Sequence, residues 1–244
     1  MAKIVTFRVE PTIAQVLRKH LEQVSEKQRK NAAAILDLFE ASMNSYAYQS
    51  LPKNEAKYFD NQFNNHDKQF CELFGPEKIP ENVGEFLNYF LVRKVAAPKS
   101  MIAGAPGVIK HLLDWLEKEA FIKVGSRAHA SGAAEEAHTT LPVAGKLGEM
   151  LYNHVRHQPL ALGMVIRDDD VVESTFEIAR VEGNTIWFSD WESVDEEYGV
   201  RLSDALVRQC KKAIGFTVWL QLGLLRSKKG DAWKILESGT VYPP

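Results

Sequence analysis

The chain has 244 residues and only two cysteines, Cys71 and Cys210, which lie in different halves and form no Cys-x-x-Cys pair. That argues against a disulfide framework or a zinc knuckle and leaves both thiols as small, buried apolar side chains. No stretch approaches the ~20 apolar residues that span a bilayer. The longest apolar run, Ala213 to Leu225, is interrupted by Gly215, Thr217, Gln221 and Gly223 and reads as strand. The opening MAKIVTFRVEPT has no apolar h-region of a secretory signal. A cytoplasmic protein with no membrane partner is therefore expected. An excess of one charge is also missing, since the formal net charge is -2. Met1–His157 is about +2 and Gln158–Pro244 about -4, which permits a basic patch on the first part without requiring one.

Catalytic and cofactor signatures are absent as well. Gly104-Ala105-Pro106-Gly107 superficially resembles a phosphate loop but has neither a Gly-Lys-Ser/Thr end nor a Gly-x-Gly-x-x-Gly pattern, so it reads as a helix break. No Gly-x-Ser-x-Gly elbow occurs. Glu135 and His138 have the Glu-x-x-His spacing of di-iron bundles, yet no second copy exists. His154 and His157 are i,i+3 neighbours without a convincing third ligand, and their positive ends suit a helix C-terminus. Asp168-Asp169-Asp170 lacks the glycine and distant glutamate of a calcium loop and reads as a solvated turn. No catalytic residue, cofactor or metal ligand is expected.

What is present is an ordinary globular composition, 45% hydrophobic and 25% charged, with a change of period along the chain. Apolar residues recur at helical spacing at Ile13, Val16, Leu17, Leu21 and Val24, and again over Asn31–Tyr46. Further helices are predicted at Val83–Leu91, from Ser100 to about Glu119 with a kink or restart at Gly104 and Pro106, and at Leu141–His157. Asp60–Phe74 is ambiguous. Lys123–Thr140, rich in glycine, serine and alanine, reads as a flexible connection. Beyond Pro159 the pattern alternates. Strands are expected after an opening extended segment at Lys3–Val9: Leu162–Ile166, Val171–Val181, Thr185–Phe188, Val200–Leu202, Ile214–Leu225, Ala232–Glu237 and an edge at Val241–Tyr242. The fold class is thus α+β, with a helical N-terminal bundle (1–158) followed by a small, partly open, SH3-like β-barrel (159–244). Whether the helix at 141–157 belongs to the first or the second part is left open.

The segment Ile79–Ile122 reads IPENVGEFLNYFLVRKVAAPKSMIAGAPGVIKHLLDWLEKEAFI. Its Val-x-x-Phe-Leu helix, short break, serine-initiated helix ending LLDWLEKE and closing Phe-Ile resemble the SAM-like core-binding domain of tyrosine recombinases. The resemblance covers roughly residues 13–122. It implies a nucleic-acid-binding helical module only, because the rest of the chain is too short for a recombinase catalytic domain and reads mostly as strand.

The basic residues Arg93, Lys94, Lys99 and Lys110 flank the break in that segment and are the candidate contacts to DNA or RNA phosphates. Four of the five tryptophans fall in the last third. Trp219 and Trp233 suit a core, whereas Trp187 and Trp191, near the acidic loop, are candidates for an interaction surface. The leading expectation is a non-enzymatic binding or adaptor protein that contacts nucleic acid or a protein partner. The competing one is an enzyme or small-molecule binder with a pocket between the two domains, sought first near His154, His157 and Lys123–Thr140.

Overall fold

A computed structural model describes residues 11–95, 98–158, 166–191, 193, 196–226 and 230–244, and of Lys99, His129 and Asp168 the backbone only. The extended segment expected at Lys3–Val9 and most of that at Leu162–Ile166 lie outside the described residues. The chain divides into two compact units, Met1–His138 and Thr139–Pro244. Among the described residues, no helix is long and apolar enough to cross a membrane.

The first unit is helical. Helix α1 (Ile13–Gln23) opens on Thr12 through a capping box, in which the Thr12 amide donates to Gln15 Oε1 (2.9 Å). Helix α2 (Glu26–Tyr46) begins five residues earlier than its apolar periodicity, because its first turns are polar and exposed. The ambiguous stretch resolves into α3 (Lys53–His66) and the single turn α4 (Phe70–Leu73), separated by Asp67 in the left-handed region (φ 52°). A π-helical segment, Glu85–Phe90, leads into the short α5 (Leu91–Arg93). Helix α6 (Lys99–Lys118) then runs through Gly104 and Pro106 without a restart. Pro106 lies only two turns from the start, and the helix continues through it with Ala105, Ile109, Leu112 and Leu113 buried. These side chains share the core of the unit with residues such as Ile35, Phe39 and Phe86, the two phenyl rings packing 5.0 Å apart.

Helix α7 (Ala128–His157) replaces most of the expected flexible connection. Lys123–Thr140 is poor in large apolar residues but rich in alanine, the best helix former, and Ala130, Ala134 and Ala137 are buried at helical spacing. The division between units falls inside this helix rather than at Pro159. Its later turns settle the open assignment, because Ala144, Leu147 and Leu151 share one buried core with the residues of the second unit.

The second unit contains β1 (Val171–Glu182), β2 (Thr185–Asp190), β3 (Glu197–Arg201), helix α8 (Asp204–Cys210), β4 (Thr217–Leu225) and β5 (Ala232–Tyr242). Strands β1 and β2 form a hairpin around Gly183, whose φ of 58° the turn requires. Antiparallel pairing also joins β1 to β4, β2 to β3, and β4 to β5. The partly open, SH3-like barrel expected from the sequence is not what forms. The strands make a five-stranded mixed sheet in which β3 and β5 are parallel at Val200↔Trp233 and every strand has two neighbours. The expectation failed because hairpin reasoning pairs only successive strands, whereas β3 reaches β5 across the intervening α8 and β4. Strand β5 is also continuous to Tyr242, its ladder with β4 adjusting through two register shifts instead of breaking after Glu237. Phe176, Ile178, Phe188, Val218 and Leu220 fill the interior.

Candidate functional site

The first two helices meet at a tight corner. The Arg29 guanidinium donates to the carbonyls of Glu22 (3.4 Å) and Val24 (3.1 Å), satisfying the end of α1 from the second turn of α2. Helix α6 packs against α2 through Gly104, where an added Cβ would stand 3.4 Å from Asn31 Nδ2 and 3.9 Å from Ile35 Cδ1. One turn further along α6 this close approach gives way to space, and a Cβ on Gly107 would meet nothing within 4 Å. The result is a cavity of about 510 Å³ between α1, α2 and α6, lined chiefly by His20, Val24, Lys27, Asn31, Val108 and His111. That volume lies within the range of small-molecule sites.

His20 is the chemically distinctive wall. It sits on the apolar face of α1 and is 1% exposed. Its Nε2 is 3.4 Å from His111 Nδ1, and the Trp115 ring packs over it at 4.9 Å. Trp115 is held in turn by donating its indole N–H to Gln23 Oε1 (2.9 Å). The second ring nitrogen of His20, Nδ1, is buried and has no hydrogen-bond partner. Burial, and then the neighbouring His111, push the His20 imidazole down to about 4. It is therefore neutral near pH 7, with one ring nitrogen protonated and the other carrying a lone pair. At the cavity rim Lys27, Gln28 and Asn31 add donors, and none of the described lining residues is acidic.

Sequence reasoning missed this site because His20 and His111 are 91 residues apart. Two signals were nonetheless present. His20 continues the apolar stripe of Val16 and Leu17, and Gly104, Val108, His111 and Trp115 recur every three or four residues on α6.

The basic residues singled out from the sequence have different surroundings. Arg93 and Lys94 converge on Tyr89, in the π-helical segment, at 5.3 Å and 5.6 Å from its ring centre. Lys99 is the first residue of α6, and only its backbone is described. Lys110 is ion-paired with Glu135 (2.8 Å), which raises the lysine and lowers the carboxyl, so much of its charge is compensated locally. Alongside it Arg127 pairs with Asp114 and Glu117.

In the second unit Trp187 is held in place. Arg180 lies 4.5 Å from its ring centre, its indole N–H donates to Glu182 (3.0 Å), and its ring edge covers Gly199. Trp191 is 64% exposed. Asp170, expected in a solvated turn, is instead nearly buried against Arg226, with contacts of 2.5–3.2 Å that hold its carboxyl below the usual range. His154 and His157 lie in the last turn of α7, where His157 Nδ1 is 2.8 Å from the Asn153 carbonyl. Among the described residues no group of three or more His, Cys, Asp or Glu could hold a metal ion. No family model matches this chain, and neither curated proteins nor solved structures yield a match.

Proposed function

We propose that this chain is a non-enzymatic binding protein whose helical unit takes a small molecule into the α1–α2–α6 cavity. The observation that carries this reading is the cavity itself, which is mainly apolar, of ligand size, and lined on one side by the buried His20 and by His111. Its two buried, unpaired thiols fit residence in the reducing cytoplasm.

Gly107→Leu is the direct test. An added Cβ there meets nothing within 4 Å and Gly107 lines the cavity, so a leucine is expected to occupy part of it while replacing a poor helix former. The neutral, apolar dye N-phenylnaphthylamine should fluoresce on binding the wild-type protein and lose at least ten-fold in affinity in Gly107→Leu. Val108→Phe, which fills the cavity from the next residue, should do the same. Equal dye binding by folded variants and wild type would exclude the cavity as the site.

A second reading rests on a separate observation, the convergence of Arg93 and Lys94 on Tyr89. Two cations beside an aromatic ring can engage a phosphate and stack on a base. This agrees with the resemblance of residues 13–122 to a recombinase core-binding domain. Single-stranded and duplex DNA and RNA should then be retained on filters at low salt, and Arg93→Ala with Lys94→Ala should abolish retention. Absence of retention by wild type removes this reading without touching the first.

A further inference from the structure

We infer that His20 and His111 are the two protein ligands of a late first-row transition-metal ion, of the zinc(II) and copper(II) class, held between α1 and α6. This goes beyond the small-molecule reading and is tested without it.

The two imidazoles come from separate helices, His20 from α1 and His111 from α6, and they meet nitrogen to nitrogen. His20 Nε2 stands 3.4 Å from His111 Nδ1. That separation is longer than the usual hydrogen-bond range of about 2.7–3.2 Å. It matches the spacing that one ion imposes on two ligands: imidazole nitrogens at about 2.0–2.1 Å from a tetrahedral ion lie about 3.3 Å from each other. The ring centroids are 5.2 Å apart, closer than two rings meeting end to end across such a gap, and the ring planes are inclined at 47°. Rings so inclined can aim both nitrogens at one position beside the line that joins them.

The surrounding side chains hold this arrangement. Trp115 packs over the His20 ring at 4.9 Å and is itself tied to Gln23 (2.9 Å), so the buried imidazole is fixed in place. His111 is the exposed member of the pair, and an ion approaches from its side. The surroundings also select the kind of ion. None of the described residues lining the cavity beside the pair is acidic, so magnesium or calcium finds no carboxylate there, whereas imidazole nitrogen suits zinc, copper and nickel. Lys27, the one cation among them, is exposed and can keep its ammonium in solvent. Two protein ligands leave the rest of the coordination shell to water, and the buried His20 Nδ1 has no partner for the proton it then carries. Binding is therefore reversible and weaker than at a four-ligand structural zinc site.

Zinc(II) titrated calorimetrically into the metal-free full chain should bind. His111→Gln alters an exposed residue and should fold; it should weaken zinc at least about ten-fold, since loss of outer partners alone commonly costs a metal site that much. Copper(II) should bind more tightly than zinc(II), and magnesium should not compete with either. Copper(II) should also quench the indole of Trp115, so that wild type loses a part of its tryptophan emission that Trp115→Phe and His111→Gln do not lose. The double variant His154→Gln with His157→Gln, in the last turn of α7, should behave as wild type in both measurements. No zinc binding by wild type, or equal zinc affinity in wild type and His111→Gln, would overturn the inference. Loss of binding in the α7 variant alone would place the ion on His154 and His157 and overturn it equally.

Discussion

At the scale of single residues, burial decides more than residue type. His20 is a polar residue on an apolar helix face, and the fold keeps it neutral by excluding water. Unfolding frees the imidazole to take up a proton below its ordinary value of 6.5, which the folded chain resists down to about 4. The His20 contribution is therefore fully present above pH 6.5, declines as pH falls through that interval, and levels off below it. Over the whole interval the loss amounts to about 3 kcal/mol. Urea unfolding of wild type and His20→Leu at about pH 7 and about pH 4.5 should show the wild type losing more stability than the variant. Parallel losses would mean that His20 is not the group responsible. The two cysteines respond to burial in the opposite sense to a base. Exclusion of water pushes the Cys210 thiol up to about 12 and the Cys71 thiol up further, with Glu40 and Glu72 adding to the effect. Neither thiol should react with a disulfide reagent at neutral pH until denaturant is added, a difference that a colorimetric thiol assay reads directly.

At the scale of elements, glycine and caps set how the helices begin and approach one another. Replacing Thr12 by alanine removes half of the capping box at α1 and should cost about 1 kcal/mol, measured by thermal or chemical unfolding. Gly107→Ala should instead stabilise the helical unit by about 0.5–1 kcal/mol, because an added Cβ meets only open space in the middle of α6. Gly104→Ala, one turn earlier, should gain less, since its Cβ presses on the Asn31 amide. A larger gain at position 104 than at 107 would contradict the packing of α6 against α2. In the sheet, Gly199 leaves room for the Trp187 ring, and an added Cβ would lie 3.2 Å from it.

At the scale of the whole molecule, each unit has its own buried core, and the two cores can be perturbed separately. Four of the five tryptophans lie in the second unit, so indole fluorescence reports mainly on the sheet. Phe188 is fully buried there and packs edge-on to Phe176 at 6.4 Å. Phe188→Ala should cost about 3–5 kcal/mol. The fluorescence midpoint should fall accordingly, while dye binding in the α1–α2–α6 cavity persists at the temperature where the sheet has melted. Simultaneous loss of both signals would show that the units unfold as one.

The sequence by itself determined where most elements lie. Helical spacing marked α1, most of α2 and α6, alternation marked β1, β2 and β4, and Glu182-Gly183-Asn184 marked the first hairpin, because these are local consequences of side-chain period and turn geometry. It did not determine the alanine-rich start of α7, where helix propensity operates without a large apolar stripe. Nor could it supply the parallel contact of β3 with β5, which no successive-strand rule contains. The candidate site was least legible of all. Its charged candidates were chosen by proximity in the chain, and Lys110 proved to be paired with Glu135 across 25 residues. The cavity depends on His20 and His111 meeting across 91 residues and on a gap beside Gly107. Local pattern carries no information about an empty space between three helices; only their packing creates it.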